Sequence, residues 1–369
     1  MNGLPLVELA GDAYTQGWQH GRVLREAIAA NLRIYTARFE RELRMSLDEV
    51  WRRALRYADA IAGQNPEYAA GMRGIADGAG IELAAIAALN VRYELFYQYF
   101  REYDRPPAKP DGCTAFALLP SATSDGHLLA GENWDWITGV RGAIVATVEP
   151  DGLRTLAFTE AGIFGGKIGL NSAGLALLIN GLSSTADDCA SLRRPFHVRC
   201  YEVLRARTLA EAQAVITAEA RAGSANFLIA QTPDQVINIE AAPETVAVSG
   251  CAGGCLIHSN HFNDPAALDI VERAIERVPH SRWRQARLQA LLAPRPQSLA
   301  RVQAALRDHD RLPYSVCFHI DPADSPDEYY ESVASIIMDV TAQTLYATEG
   351  PPCEREYVQY RLAAGAEAS

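Results

Sequence analysis

Asp111-Gly112-Cys113-Thr114-Ala115-Phe116-Ala117-Leu118-Leu119 is the stretch on which the fold turns. Ahead of it runs Pro106-Pro107-Ala108-Lys109-Pro110, whose prolines make an extended, exposed loop. From Cys113 to Leu119 the apolar run predicts a buried strand. A thiol is the strongest ordinary side-chain nucleophile near neutral pH. Attack by Cys113 on the Gly112 carbonyl would cut the chain and leave Cys113 as a new N-terminus. Its freed α-amine, with a pKa of about 7.7–8.0, takes a proton and returns it. One residue would then hold nucleophile and base in fixed geometry. Gly112 suits the cut, because without a Cβ its carbonyl is open to approach. On these residues alone, a turn glycine followed by a core cysteine is the simpler reading.

Working outward, the chain changes texture at Gly112. The first ~105 residues read as helical. Leu24, Ile28, Leu32, Tyr35, Phe39 and Leu43 recur at spacings of three and four, one face of a helix between residues 13 and 44. Ser46-Leu47-Asp48-Glu49 has the pattern of a capping box, and a further helix is expected over Ile81 to Phe100. After Gly112 come short apolar runs with turns between them: Cys113 to Leu119, His127 to Trp134, Ala143 to Val148, Arg154 to Thr159, Lys167 to Leu170 and Gly174 to Asn180. Residues 196–220 read as helix. Strands resume at Phe227 to Ala230, Val236 to Glu240, Val246 to Val248 and Leu256 to Asn260. Helices follow at 281–292 and 298–308, then a hairpin of Ser332 to Val340 with Thr344 to Thr348. Strands in blocks with helices between them predict packed sheets covered by helices.

The 369 residues are 49% hydrophobic and 21% charged, the profile of an ordinary globular protein. A net charge of −11 argues against a nucleic-acid partner. No apolar run reaches the ~18 residues of a membrane span, and residues 1–8 lack the pattern of a secretory signal. Seven cysteines are scattered without a metal-type repeat, which points to a reducing compartment, the cytoplasm.

Downstream motifs turn the reading of Cys113 toward chemistry. Asp111 to Thr114 is followed by Asn133-Trp134-Asp135-Trp136, then Glu160-Ala161-Gly162-Ile163, then Gly166-Lys167-Ile168-Gly169-Leu170-Asn171-Ser172-Ala173-Gly174. His258-Ser259-Asn260-His261 and Pro313-Tyr314-Ser315 come later, and Gly17-Trp18-Gln19-His20-Gly21 stands early. In this order, over residues ~10–352, the set resembles the peptidase C45 group of N-terminal nucleophile hydrolases, the group of the fungal penicillin acyltransferase and the β-alanyl-amine hydrolases. Two positions differ from the family pattern, His280 and Phe318, and both bear on substrate rather than on core chemistry.

The resemblance implies an α/β fold of four layers, αββα, with two mainly antiparallel sheets. It implies a helical segment 1–112 that stays bound as a small chain after self-cleavage, and a catalytic chain 113–369. By the same resemblance Cys113 is the nucleophile, Asp135 holds the α-amine, Asn260 and Asn180 form the oxyanion hole, and Arg284 orients the amine end or a carboxylate. Thr114, Asn133 and Ser315 are supporting candidates. Each has a plainer reading: Asp135 as a strand-end turn residue, Asn260 as a turn cap, Asn180-Gly181 as a hairpin signal, Arg284 as a surface charge, and Ser315 as the partner of a local backbone group. The expected reaction is hydrolysis of the linear amide of a small N-acyl amine through an acyl-enzyme. Acyl transfer from a thioester or amide to an amine, such as a β-lactam nucleus, is the alternative. An uncleaved binding protein of the same fold is the alternative from another class.

No cofactor or metal is expected. His258 and His261 are three apart on what reads as a strand end, where they would point opposite ways, and no His-Glu-x-x-His occurs. Asp308-His309-Asp310 offers ligands without geometry. Gly162 to Gly169 fails as a phosphate loop, because Ala161 stands five residues before Gly166 and Ile168 follows Lys167.

Overall fold

The computed structural model describes residues 3–96, 112–272, 275 and 278–362. The proline loop before Gly112, Asp111 itself and the end of the helix expected to reach Phe100 lie outside the described residues.

Two sheets lie face to face. One runs β1 (Leu6–Ala10), β4 (Gly142–Val148), β5 (Arg154–Glu160), β6 (Ile168–Asn171), β7 (Leu175–Gly181), β8 (Ala225–Gln231), β9 (Gln235–Ala241), β10 (Val246–Gly250). The other runs β11 (Cys255–His258), β2 (Thr114–Leu118), β3 (Leu129–Ile137), β12 (Tyr330–Asp339), β13 (Thr344–Glu349), β14 (Val358–Arg361). Each neighbouring pair is antiparallel except β1 with β4, which is parallel. β2 and β3 stand against β7 and β8 across the interface.

The apolar run after Cys113 follows from this placement. Side chains alternate across a strand. Ala115, Ala117 and Ala130 join the core between the sheets. Phe116, Leu118 and Leu129 pack instead with Leu288, Leu292, Val302 and Leu306 of the helices outside. β2 is therefore buried on both faces, and neither face calls for polar residues.

Helices cover both sheets, so the layers are αββα as expected. α6 (Phe196–Leu204) and α7 (Leu209–Thr217) lie on the first sheet; α8 (His280–Leu292) lies against β11 of the second, with α9 (Leu299–Leu306) beside it. The expected helix over 196–220 is thus two. Thr208 starts the second with a capping box that includes Glu211. The early segment carries α1 (Ala13–Val23), α2 (Arg25–Leu43), α3 (Leu47–Gln64), α4 (Pro66–Ala79) and α5 (Leu83–Asn90). Leu24 (φ −100°, ψ 17°) divides the helix expected between 13 and 44. The Ser46 side chain caps α3, accepting from the Glu49 N–H at 3.4 Å.

The structure differs from the sequence reading in three places. The first segment is not wholly helical, because Leu6–Ala10 forms β1 with Val7 and Leu9 buried and their neighbours exposed. β14 also lacked a signal, and Asn180-Gly181 ends β7 without turning a hairpin, since the chain leaves through residues 182–224. Strands this short are selected by their pairing partners, not by their own periodicity.

The early helices are joined to the sheets by buried polar contacts. His20 Nε2 accepts from the Gly162 N–H at 3.0 Å. Asn31 donates to the Arg141 and Ala161 carbonyls, each at 2.9 Å. Asn90 donates to the Gly162 carbonyl at 2.8 Å and accepts from the Phe164 N–H at 3.0 Å.

α1 and α4 touch backbone to backbone. A Cβ at Gly74 would run into the Tyr14 carbonyl oxygen, and one at Gly17 into that of Gly71. A backbone oxygen held in a helix does not move aside. Gly74→Ala is expected to lower the unfolding free energy by about 1–3 kcal/mol, read by urea titration. A neutral effect would mean that the two helices are not in this contact.

Candidate active site

Antiparallel pairing sets the neighbours of Cys113. β2 and β3 place Thr114 opposite Asn133, so one step back Cys113 lies beside Trp134, and another step back Gly112 lies beside Asp135. A Cβ on Gly112 would stand 3.0 Å from the Asp135 Cβ, as that register requires. On the other side β11 sets His258 opposite Ala115. Ser259 Oγ donates to the Cys113 carbonyl at 2.9 Å, which brings Asn260 alongside the cysteine. Cys113 is 2% exposed in the uncut chain, with Sγ 3.9 Å from the Asp135 carbonyl oxygen.

Alternation then splits the chemistry between the two faces of the sheet. On the helix side, Arg284 of α8 is fully buried. Its Nη1 donates to the Gly112 carbonyl, to the Cys113 carbonyl at 2.9 Å and to Thr114 Oγ1 at 2.6 Å. Its Nη2 donates to Asn260 Oδ1 at 3.0 Å. Asp135 Oδ2 is 3.9 Å from Nη1, and Asp135 Oδ1 accepts from Ser332 Oγ at 2.6 Å. Burial pulls the Arg284 pKa below its ordinary value, against the opposing charges of Asp135 and Cys113. Ser332 Oγ accepts in turn from the Phe318 N–H at 3.0 Å. A carboxylate is therefore held beside the point where a cut would create an α-amine.

On the side between the sheets lies a row of polar groups. His258 bridges Asn180 Oδ1 at 3.1 Å and Glu240 Oε1 at 2.8 Å. Asn226 Nδ2 donates to Asn180 Oδ1 at 3.1 Å and to Asn238 Oδ1 at 2.9 Å. Asn180 is fully buried, and among the described residues its Nδ2 has no hydrogen-bond partner. A buried amide donor without an acceptor costs about 1–3 kcal/mol, so this one is poised for an oxygen that arrives with a ligand. The Asn260 amide donates to the Gly181 carbonyl at 3.2 Å, which uses one of its two N–H groups.

Beside these lies a buried charge cluster. Lys167 Nζ sits 3.3 Å from the centre of the Trp134 ring and donates to Glu160 Oε1 at 2.7 Å. Arg92 pairs with the same carboxylate oxygen, and Tyr35 donates to Oε2. Burial alone would raise the Glu160 pKa, but Arg92 and Lys167 more than reverse this and hold it well below the carboxylate range. Lys167 is itself lowered, first by burial and then by Arg92, although Glu160 pulls the other way. The two directions differ because one anion serves two cations. The ionised carboxylate is the firmer of the two, since it has both partners to itself. The charge of Cys113 also acts on Lys167, raising its pKa against the effect of burial.

Cys113, Thr114, Asp135, Asn260 and Arg284 thus meet around one point, with Asn180 on the inter-sheet side. Two supporting candidates take other work. Asn133 donates to the Leu306 and Val316 carbonyls at 2.9 and 2.8 Å, fastening the end of α9 and the segment after it to β3. The Ser315 hydroxyl donates to the Cys317 carbonyl at 2.5 Å. His258 and His261 do not diverge as a continuing strand would require, because the chain turns after β11 and their rings stack 6.3 Å apart. Their nitrogens are nonetheless given to separate partners, Ser281 Oγ being that of His261. Ser332, Glu160 and Lys167 escaped sequence reading. Glu160 and Lys167 stood within the motifs, but an isolated charge in an apolar run does not reveal its partner.

The family model for acyl-coenzyme A:6-aminopenicillanic acid acyl-transferase matches residues 121–353. The 40 kDa form of acyl-coenzyme A:6-aminopenicillanic-acid-acyltransferase from Emericella nidulans is 26% identical over 309 residues, covering 82% of this chain and 81% of that one. Among solved structures, penicillin V acylase from Agrobacterium tumefaciens aligns with a TM-score of 0.45 at 14% identity, over 64% of this chain and 82% of that chain. A mutant conjugated bile acid hydrolase from Clostridium perfringens aligns with a TM-score of 0.44 at 11% identity, over 68% and 96%.

The buried charge cluster has a pH signature. Glu160 titrates at 4.5 when unfolded and lower when folded, so its contribution is complete above that value and declines as the pH falls further. Glu160→Gln leaves two buried cations without their anion and is expected to cost about 3–5 kcal/mol at pH 7. The variant should also lose less stability than the parent on acidification below pH 4.5. Parallel acid profiles for the two proteins would contradict this assignment.

Proposed function

Because the chain belongs to the acyl-coenzyme A:6-aminopenicillanic acid acyl-transferase family, we propose that it is a self-processing cysteine N-terminal nucleophile enzyme that hydrolyses the linear amide of a small N-acyl amine. The observation that carries this is the arrangement around Cys113. The thiol heads a strand, a carboxylate and a guanidinium are fixed beside the bond before it, and a buried amide donor stands open between the sheets.

In processing, Cys113 Sγ attacks the Gly112 carbonyl carbon, and the scissile nitrogen takes up a proton and leaves as the α-amine. Water then hydrolyses the thioester, giving a carboxylate on Gly112 and a free thiol. Arg284, which already donates to the Gly112 carbonyl, stabilises negative charge on that oxygen. In turnover, the α-amine takes the thiol proton, and Sγ attacks the amide carbonyl of the substrate. Asn180 and Asn260 hold the oxyanion, the proton passes to the leaving amine, and water releases the acyl group. Asp135 keeps the ammonium in place.

The N-terminal segment would remain bound as a second chain. β1 is paired inside the first sheet, and the apolar faces of α1–α5 would otherwise meet water at ~25 cal/mol per Å². A reducing compartment, the cytoplasm, fits a thiol nucleophile with six further free cysteines. Among the described residues no helix is long and apolar enough to cross a membrane. Acyl transfer to an amine is the second reading, favoured by the acyltransferase name of the Emericella nidulans relative.

Denaturing mass spectrometry should find fragments 1–112 and 113–369 in active protein, and one uncut chain in Cys113→Ala. A cut Cys113→Ala chain would remove the thiol from processing. A screen of N-acyl amines, with and without an acyl thioester, separates hydrolysis from transfer. In the processed enzyme Asn260→Ala or Asn180→Ala should lower kcat by about 10²–10³ with the fold intact; near-normal turnover would take that residue out of the oxyanion hole.

A further inference from the structure

Behind Asp135, the chain gathers two histidines and two cysteines whose ligand atoms all lie within 4.8 Å of one another: His309, Cys317, His319 and Cys353. His309 follows α9, Cys317 and His319 flank Phe318, and Cys353 lies beyond β13. The sequence hid the set, because two stretches far apart supply it with no repeated spacing.

Cys317 and Cys353 share a hydrogen bond, but one histidine nitrogen meets more neighbours than it can serve. His319 Nε2 lies 3.1 Å from His309 Nε2, 3.5 Å from Cys317 Sγ and 3.3 Å from Cys353 Sγ. That nitrogen carries one proton or one lone pair, so it serves one of the three neighbours. A cation at the centre would serve all four donors. With bonds of about 2.0–2.1 Å to nitrogen and 2.3 Å to sulfur, a tetrahedral zinc ion sets its donors roughly 3.3–3.8 Å apart. The three separations from His319 Nε2, 3.1, 3.5 and 3.3 Å, already lie near those edges.

We propose that His309, Cys317, His319 and Cys353 form a closed structural zinc site. Two thiolates and two neutral imidazoles bind one Zn²⁺ with release of two thiol protons, leaving a site of zero net charge. Four protein ligands leave no open position, so the ion is structural rather than catalytic. Glu354 Oε1, 4.0 Å from His319 Nδ1, is placed to orient that ring from the outer shell.

The site would pin the segment that positions the nucleophile's carboxylate. Phe318, held between two ligands, donates its N–H to Ser332 Oγ and accepts from the Ser332 N–H, each at 3.0 Å. Ser332 Oγ in turn donates to Asp135. The site also clips this segment to the turn that follows β13. It does not depend on which amide the enzyme cleaves.

Metal analysis of full-length protein, purified without chelator and equilibrated with zinc chloride under a thiol reductant, should give one zinc per chain. Cobalt in its place should show the visible bands of a tetrahedral ion with thiolate ligands. His309 is exposed, so His309→Ala should keep the fold, measured by circular dichroism, yet weaken zinc affinity by at least roughly tenfold. Cys353→Ser should do the same, and Cys251→Ser should retain full zinc. Sub-stoichiometric zinc in the parent protein, full zinc affinity in both ligand variants, or a Cys317–Cys353 disulfide in reduced protein would each overturn the assignment.

Discussion

A guanidinium shut away from water governs this site. Removing an arginine from solvent costs several kcal/mol unless its donors are met by acceptors. Arg284 meets them with the Gly112 and Cys113 carbonyls, Thr114 Oγ1 and Asn260 Oδ1, with Asp135 just beyond. Counting the helix of Arg284 itself, these groups belong to four separate stretches of chain. The need to satisfy one buried cation therefore draws the start of β2, the end of β3, the turn after β11 and α8 to one point. The bond before Cys113 is polarised by the same contacts that hold the fold together there.

The second constraint is the two-residue period of β2. Adjacent positions face opposite ways, so Thr114 meets Arg284 on the helix side while the core between the sheets receives Cys113 and Ala115. One short strand thereby separates two jobs. Arg284 and Asp135 lie on one face beside Cys113, and a row running from His258 through Asn180 to Glu240 lies on the other. A one-residue slip of register would exchange the two environments. Pairing on both sides of β2, by β3 and β11, prevents it.

Burial on every side also explains the number of polar networks at depth. Glu160 with Arg92 and Lys167, Asp135 with Ser332, and Asn31 and Asn90 with turn carbonyls all lie where water does not reach. Each is paired, because an unpaired polar group at such depth is costly. Several of these networks join the early helices to the sheets, so the described residues 3–96 are built into the body that the rest of the chain forms.

The layers and most strands were legible in the sequence, because each rests on a local signal. Apolar runs bounded by turns mark β2 through β9, and a glycine before a cysteine stands at the head of one of them. The motifs around Asp135, Asn260 and Arg284 were visible for the same reason. What escaped was whatever needs a partner from elsewhere in the chain. β1 exists because β4 is there to pair with it. Ser332 gained its place by lying opposite Asp135 across a strand pair. The four cysteine and histidine ligand atoms meet only after α9, the Phe318 segment and the β13 turn have packed. Local composition sets which residues enter a strand or helix, but distance between side chains far apart in sequence is a property of packing, and only the folded chain decides it.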